Sequence, residues 1–292
     1  DVNPLPLRCR SDVGVFYFIV DKTIIFSVFN KKGVKMSIPN RPMAGFEKFG
    51  IEKISPSQMG NYIARRSRWV IEKIFGIIVA MYDASAFRGL AIEHGVAHWF
   101  QHKDIKAAIK AALEEFDTKA KGLKNYDDER LNIEPCIKKG IEELEKLNLI
   151  NFQLEITINV GGYWVYGYSD FVFEKEDGSK FVLDLKTTKK YPYKINNQHC
   201  RQVSCYAKGL ECDAKILYLV PKKSGKVDVQ WVEIEDKNKY LLQVEDILRS
   251  MDLLLWNCDD KQQVANLCPP DIDDWIWSDE ELVKNRKQIW GY

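Results

Sequence analysis

Asp184 and Lys186 stand two residues apart in Val182-Leu183-Asp184-Leu185-Lys186, and Asp170 closes the segment Gly167-Tyr168-Ser169-Asp170. Residues 180–187 read as a strand, where positions two apart project to one side. Asp184 and Lys186 therefore share a face, and Leu183 and Leu185 turn to the other. A carboxylate in the middle of an apolar strand is costly unless it is paired or metal-bound. Asp170 lies one strand away, across the turn signal Glu176-Asp177-Gly178-Ser179. Two adjacent carboxylates repel unless a cation or a proton stands between them. Hard oxygen donors suit Mg²⁺, and Lys186 at the edge of such a site would orient or activate a metal-bound water. The plain alternative is a surface hairpin with an Asp–Lys ion pair.

Other side chains could serve the same chemistry. Glu93 and His94 are neighbours in a helical stretch; adjacent helical residues point about 100° apart, so both cannot easily reach one metal. Glu93 is favoured. His94 and His98 have the i, i+4 spacing of a zinc pair, but the order H-E-x-x-H is absent, and packed or DNA-facing histidines are the expectation. Arg65, Arg66 and Arg68 form a basic cluster, read either as a solvated helix face or as a phosphate grip. Lys189, Lys190 and Lys194 interleave with Tyr191 and Tyr193, a pattern that could track a nucleic-acid backbone and stack bases or be a plain exposed loop. Gln202 and Tyr206 fall one helical turn apart on one face. Trp275, Trp277 and Trp290 are expected to be core or docking residues.

The elements that must position these groups can be read from periodicity. Residues 41–56 read as loop. Ser55 can cap a helix with Pro56 at its first position, and that helix is expected to run through Tyr62, Trp69 and Ile74. Further helices are expected over 85–101, 106–120 and 128–147. Strands follow at 152–160, 163–173 and 180–187, then a helix at 196–210, strands at 214–220 and 226–234, and a long helix at 236–256. The tail is irregular and then helical. This order predicts an α/β fold with a mixed central sheet, flanking helices and a helical N-terminal portion.

With those pieces placed, the sequence resembles the PD-(D/E)XK nuclease superfamily, in its RecB-like and lambda-exonuclease-like branch. The resemblance runs from Ser55 to about Pro221. Ser55-Pro56-Ser57-Gln58-Met59 with Tyr62 and Trp69 is similar to the helical opening of RecB-like domains. Arg88-Gly89 followed by Glu93, Ala97 and Phe100 resembles the lambda-exonuclease motif. Gly167, Asp170 and Asp184-Leu185-Lys186 match the core signature, and Gln202 with Tyr206 matches the branch's Gln-x-x-x-Tyr helix. RecB-like members often carry His in the first motif, four residues after the Gly; that position here is Glu93, with His94 beside it. The resemblance implies a restriction-endonuclease-like core. It also implies Mg²⁺ or Mn²⁺ held by Glu93, Asp170, Asp184 and the Leu185 carbonyl, with Lys186, Gln202 and Tyr206 completing the catalytic set. Arg65, Arg66, Arg88, His94, Lys189 and Lys190 are the expected substrate contacts. The implied activity is a DNA exonuclease processing ends in recombination or repair, of phage or bacterial origin. The rivals are an endonuclease of the same superfamily and a catalytically silent DNA-binding or recombination-partner module. The implied partners are single- or double-stranded DNA, a recombination protein, and further copies of the chain.

Composition sets the outer bounds. The 292 residues carry 43 Lys+Arg against 42 Asp+Glu, a net charge of +1. That excludes gripping nucleic acid by bulk charge and leaves local patches. Seven cysteines, at 9, 136, 200, 205, 212, 258 and 268, include no C-x-x-C pair. Scattered thiols suit a reducing cytoplasm, which the resemblance makes that of a bacterial or phage-infected cell, and the flanking cysteine pattern of the branch's iron–sulfur members is missing. The apolar runs 13–20 and 23–29 are interrupted by Asp21-Lys22, which makes a membrane span costly. Lys31-Lys32-Gly33-Val34-Lys35-Met36 can be encoded by a ribosome-binding sequence ahead of an ATG. Two readings stay open: translation from Met36, with residues 1–35 an over-extended leader, or an N-terminal β-hairpin. Residues 36–292 are expected to form one nuclease domain, with core motifs in 55–221 and a helical extension in 236–292.

Overall fold

The computed structural model describes residues 14–20, 23–29, 39–79, 83–191 and 195–292. Cys9, Met36, Tyr193, Lys194 and the side chain of Trp275 lie outside what is described. The chain opens with an antiparallel hairpin of β1 (Gly14–Val20) and β2 (Thr23–Phe29). A short helix, α1 (Ala44–Lys48), then interrupts the stretch expected to be loop. In α2 (Pro56–Ala64) the Ser55 hydroxyl accepts from the Gln58 N–H, and the Gln58 side chain accepts in turn from the Ser55 N–H. This reciprocal cap satisfies two otherwise orphaned donors.

The expected single helix to Ile74 is broken. It ends at Arg65, and α3 (Arg66–Trp69) runs into a π-helical turn, Val70–Ile74. The break has a packing reason. The Tyr62 and Trp69 rings meet edge to face with centroids 5.3 Å apart. Seven residues of continuous α-helix would separate them by roughly 10 Å along the axis.

Next come α4 (Ser85–His102), α5 (Ile105–Ala120), α6 (Tyr126–Leu131) and α7 (Ile133–Leu144). The last two were expected as one helix. Pro135 lies at the third position of α7, and its ring would clash with the carbonyl four residues back, on Leu131. The helix therefore ends there and restarts.

The sheet has five strands in the order β3 (Asn148–Val160), β4 (Tyr163–Glu174), β5 (Lys180–Thr187), β6 (Asp213–Pro221) and β7 (Val227–Glu233). The β5–β6 pair is parallel and the others are antiparallel. Helix α8 (Asn197–Leu210) makes the crossover that a parallel pair requires. The chain closes with α9 (Lys237–Trp256), α10 (Lys261–Leu267), a 3-10 turn and α11 (Glu280–Trp290). Asp252 on α9 is fully buried and accepts from the Gly45 N–H (2.7 Å) and the Phe46 N–H (3.1 Å), capping α1 from a distant part of the chain.

The architecture is thus a mixed α/β sheet between two helical layers. Phe171, Phe173, Phe181, Leu183, Leu185 and Leu217 pack with α4, α5 and α7. Val165, Val182, Ile216 and Tyr218 pack with α2, α8 and α9. Leu183 and Leu185 fall in one core and Val182 in the other, as the strand alternation requires. Among the described residues no helix is long and apolar enough to cross a membrane.

Candidate active site

The registered pairs of β4 and β5 end at Phe171 with Leu183. One step further along the same register places Asp170 opposite Asp184. Both are buried, at 7% and 1% relative exposure. Lys186 supplies the cation between them: its Nζ lies 2.7 Å from Asp184 Oδ1 and 3.9 Å from Asp170 Oδ2. Asp170 Oδ2 also accepts from the Leu185 N–H at 2.8 Å. Asp184 Oδ2 is buried with no hydrogen-bond partner. The Leu185 side chain is buried in the α4-layer core.

The electrostatics follow from crowding like charges in a dry place. Burial, with the added charges of Asp184 and Glu93, holds the Asp170 carboxyl well above the ordinary carboxylate range, against the pull of Lys186. Burial pushes Glu93 up to about 7, with Lys186 opposing and Asp184 reinforcing. Burial works against the charge on Lys186, but Asp184, Asp170 and Glu93 outweigh it and raise its pKa.

Helix α4 turns Glu93 towards this group, and His94 lines the same cavity as Glu93. His94 Nδ1 pairs with Glu115 Oε2 on α5 at 2.5 Å, and the rings of His98 and His102 lie 4.4 Å apart. Gln153 on β3 donates its side-chain amide to Glu93 Oε1. On α8, Gln202 Nε2 lies 3.5 Å from the Tyr206 hydroxyl, and burial raises the pKa of Tyr206. A Cβ added at Gly167 would come within 2.5 Å of that hydroxyl. Gly167 therefore gives Tyr206 room to approach β4, which ties together two motifs that the sequence presents separately.

Several expected substrate contacts have other occupations. Arg88 is buried at 2% exposure. It pairs with Glu129 of α6 and donates to the Thr187 carbonyl at 3.2 Å. It clamps the end of β5 to α4 and α6, a correction to its expected role at a phosphate: a guanidinium so enclosed does not reach a polymer. Lys189 is drawn into the same clamp, with its Nζ 2.5 Å from Glu129 Oε1. Arg65 pairs with Asp274 at 2.6 Å and Arg68 with Glu72 at 2.9 Å. Arg66 is exposed and lies over the Tyr62 ring. Lys190 is exposed.

Three participants escape a motif reading. Glu129 closes the clamp. His199 bonds the Tyr218 hydroxyl at 2.9 Å through Nδ1, and burial lowers its pKa to about 4. Its spacing to Gln202 and Tyr206, i, i+3 and i+7 on one helix face, is the signal that could have found it. Gln153 has no local sequence signal.

Among the described residues no three His, Cys, Asp or Glu side chains close on a common point tightly enough to ligate one ion. Glu93, Asp170 and Asp184 disturb one another's charge without forming a finished shell. The donor set still suits a hard divalent cation. It consists of carboxylate oxygens, and one of them, Asp184 Oδ2, is buried and unpartnered.

No known family model and no curated protein matches this chain. Among solved structures it is similar to a protein of Eubacterium rectale named "Putative exonuclease", at 12% identity over 80% of this chain and 92% of that one, with a TM-score of 0.47. It is also similar to SSO0001, at 14% identity over 62% of this chain and 82% of that one, with a TM-score of 0.29.

Proposed function

We propose that the chain is a metal-dependent deoxyribonuclease acting on DNA ends in recombination or repair. One observation carries this reading: two buried carboxylates stand opposite each other on β4 and β5, share a lysine ammonium, and leave one oxygen without a partner. A buried carboxylate in that state is expensive and gains most from a cation.

Asp170, Asp184 and Glu93, with the Leu185 carbonyl, would hold one or two Mg²⁺ or Mn²⁺ ions, which when bound lower the pKa of water and neutralise charge on a scissile phosphate. Lys186 keeps its proton in this acidic setting and positions the attacking water by hydrogen bonding. Gln202 and Tyr206 face β4 from α8 and contact the substrate strand or buttress Lys186. Of the cations expected to contact substrate, Lys190 and Arg66 are exposed and would meet the DNA backbone. A recombination protein or further copies of the chain are the proposed partners, in a bacterial or phage-infected cytoplasm.

Digestion of linear and circular DNA, labelled at 5′ or 3′ ends and offered as duplex and as single strand, tests the reading in Mg²⁺, Mn²⁺ and EDTA. Degradation of linear DNA alone, abolished by EDTA, is expected. Cutting of circular duplex would replace the exonuclease by an endonuclease. Binding without cleavage in either metal would replace the enzyme by a DNA-binding module.

A further inference from the structure

The β3–β4 hairpin changes the layer it serves at one place. Phe152 and its cross-strand partner Phe171 pack in the core beside α4, whereas Leu154, two residues on, packs in the core beside α8. Residues two apart in a regular strand share a face, so the strand must be interrupted between them. The interruption is Gln153, whose φ of 50° lies in the left-handed region, disfavoured for most residues other than glycine, asparagine and aspartate. The register on either side, Phe152 with Phe171 and Leu154 with Ser169, sets Gln153 opposite Asp170. From that position its amide donates to Glu93 Oε1. Gln153, Glu93, Phe152 and Leu90 also line a cavity of about 350 Å³.

A strained backbone persists where the surroundings over-determine it, and it concentrates at functional sites. Here the packing of Phe152 and Leu154 into opposite cores fixes the strain, and its result is an amide aimed at a carboxylate. We propose that Gln153 is the positioning residue of Glu93: it fixes the rotation of the carboxylate through Oε1 and leaves Oε2 to serve as a metal donor. This rests on the reading of Glu93 as a metal ligand. Outer partners of this kind commonly set metal affinity by 10–100-fold.

The test titrates Mn²⁺ into the full DNA-free chain, followed by electron paramagnetic resonance, and separately measures the Mn²⁺ concentration giving half-maximal cleavage. Gln153→Gly keeps the left-handed backbone accessible and removes the amide. Both Mn²⁺ constants should rise about tenfold, and the circular dichroism should be unchanged. Gln153→Asn, which tolerates the backbone but is one methylene short, gives the same readout if the glycine variant does not fold. Unchanged Mn²⁺ binding in a folded variant overturns the proposal and leaves the metal site standing. Unchanged binding in Glu93→Gln overturns it by removing Glu93 from the ligands. A wild-type chain that binds no Mn²⁺ overturns the metal reading itself, and the role of Gln153 with it.

Discussion

Asp184 and Lys186 divide one task between them. The lysine keeps two buried carboxylates tolerable in the absence of another cation, and the unpartnered Asp184 Oδ2 keeps the site receptive to one. Asp184→Ala and Lys186→Ala should each lower DNA cleavage by at least about 10²-fold, which corresponds to a loss of about 3 kcal/mol in transition-state stabilisation. Circular dichroism should show both variants folded, and retained cleavage in either would remove the residue from the site. These two residues and Asp170 were legible because strand alternation is a strict rule that needs no neighbours. Glu93 and His94 line one cavity, and helix phase alone says only that neighbouring residues point about 100° apart. Gln153 was not legible, because its conformation is imposed by two cores that claim residues on either side of it. Arg88 was misread because motif position says nothing of burial, and Glu129, its partner, comes from a different helix.

That pairing joins residue to element. Arg88 from α4, Glu129 from α6, the Thr187 carbonyl at the end of β5 and the more exposed Lys189 beyond it form one clamp around a buried ion pair. Removing one member of a buried ion pair leaves the other charge uncompensated, at a cost of about 3–5 kcal/mol. Glu129→Ala should lower the urea midpoint by a corresponding amount. Replacing Arg88 and Glu129 together by Met and Leu should restore most of the stability, as well-packed apolar replacements often do; a double variant as unstable as the single would sink this account. The helix breaks teach a similar lesson about elements. The stop before Pro135 follows from local stereochemistry and could have been read. The break at Arg65 could not, since it serves a ring contact between Tyr62 and Trp69. Helix α1 was equally hidden, because its cap, Asp252, arrives from α9.

Beyond the β1–β2 hairpin, two apolar layers enclose one mixed sheet, and its strands, the helix between β5 and β6 and the long C-terminal helix all follow from sequence periodicity. The charge balance of 43 against 42 takes on a structural meaning once the pairs are placed. Arg65, Arg68, Arg88 and Lys189 each face a carboxylate of the same chain. These four are therefore engaged before any polyanion arrives, so DNA binding at the candidate site should depend weakly on salt. A plot of log K against log salt is expected to have a slope of about −2 to −4, as for roughly two to four phosphate contacts. A slope near −8 would point to a broad basic surface beyond the candidate site. The kink at Gln153 has one more consequence. Strand β3 stands at an end of the sheet, and an unpaired edge is a template on which a second chain can add a strand. The register shift between Leu149 and Asn151 and the left-handed turn at Gln153 break that template in its middle, so the same irregularity guards the molecule against edge-to-edge aggregation.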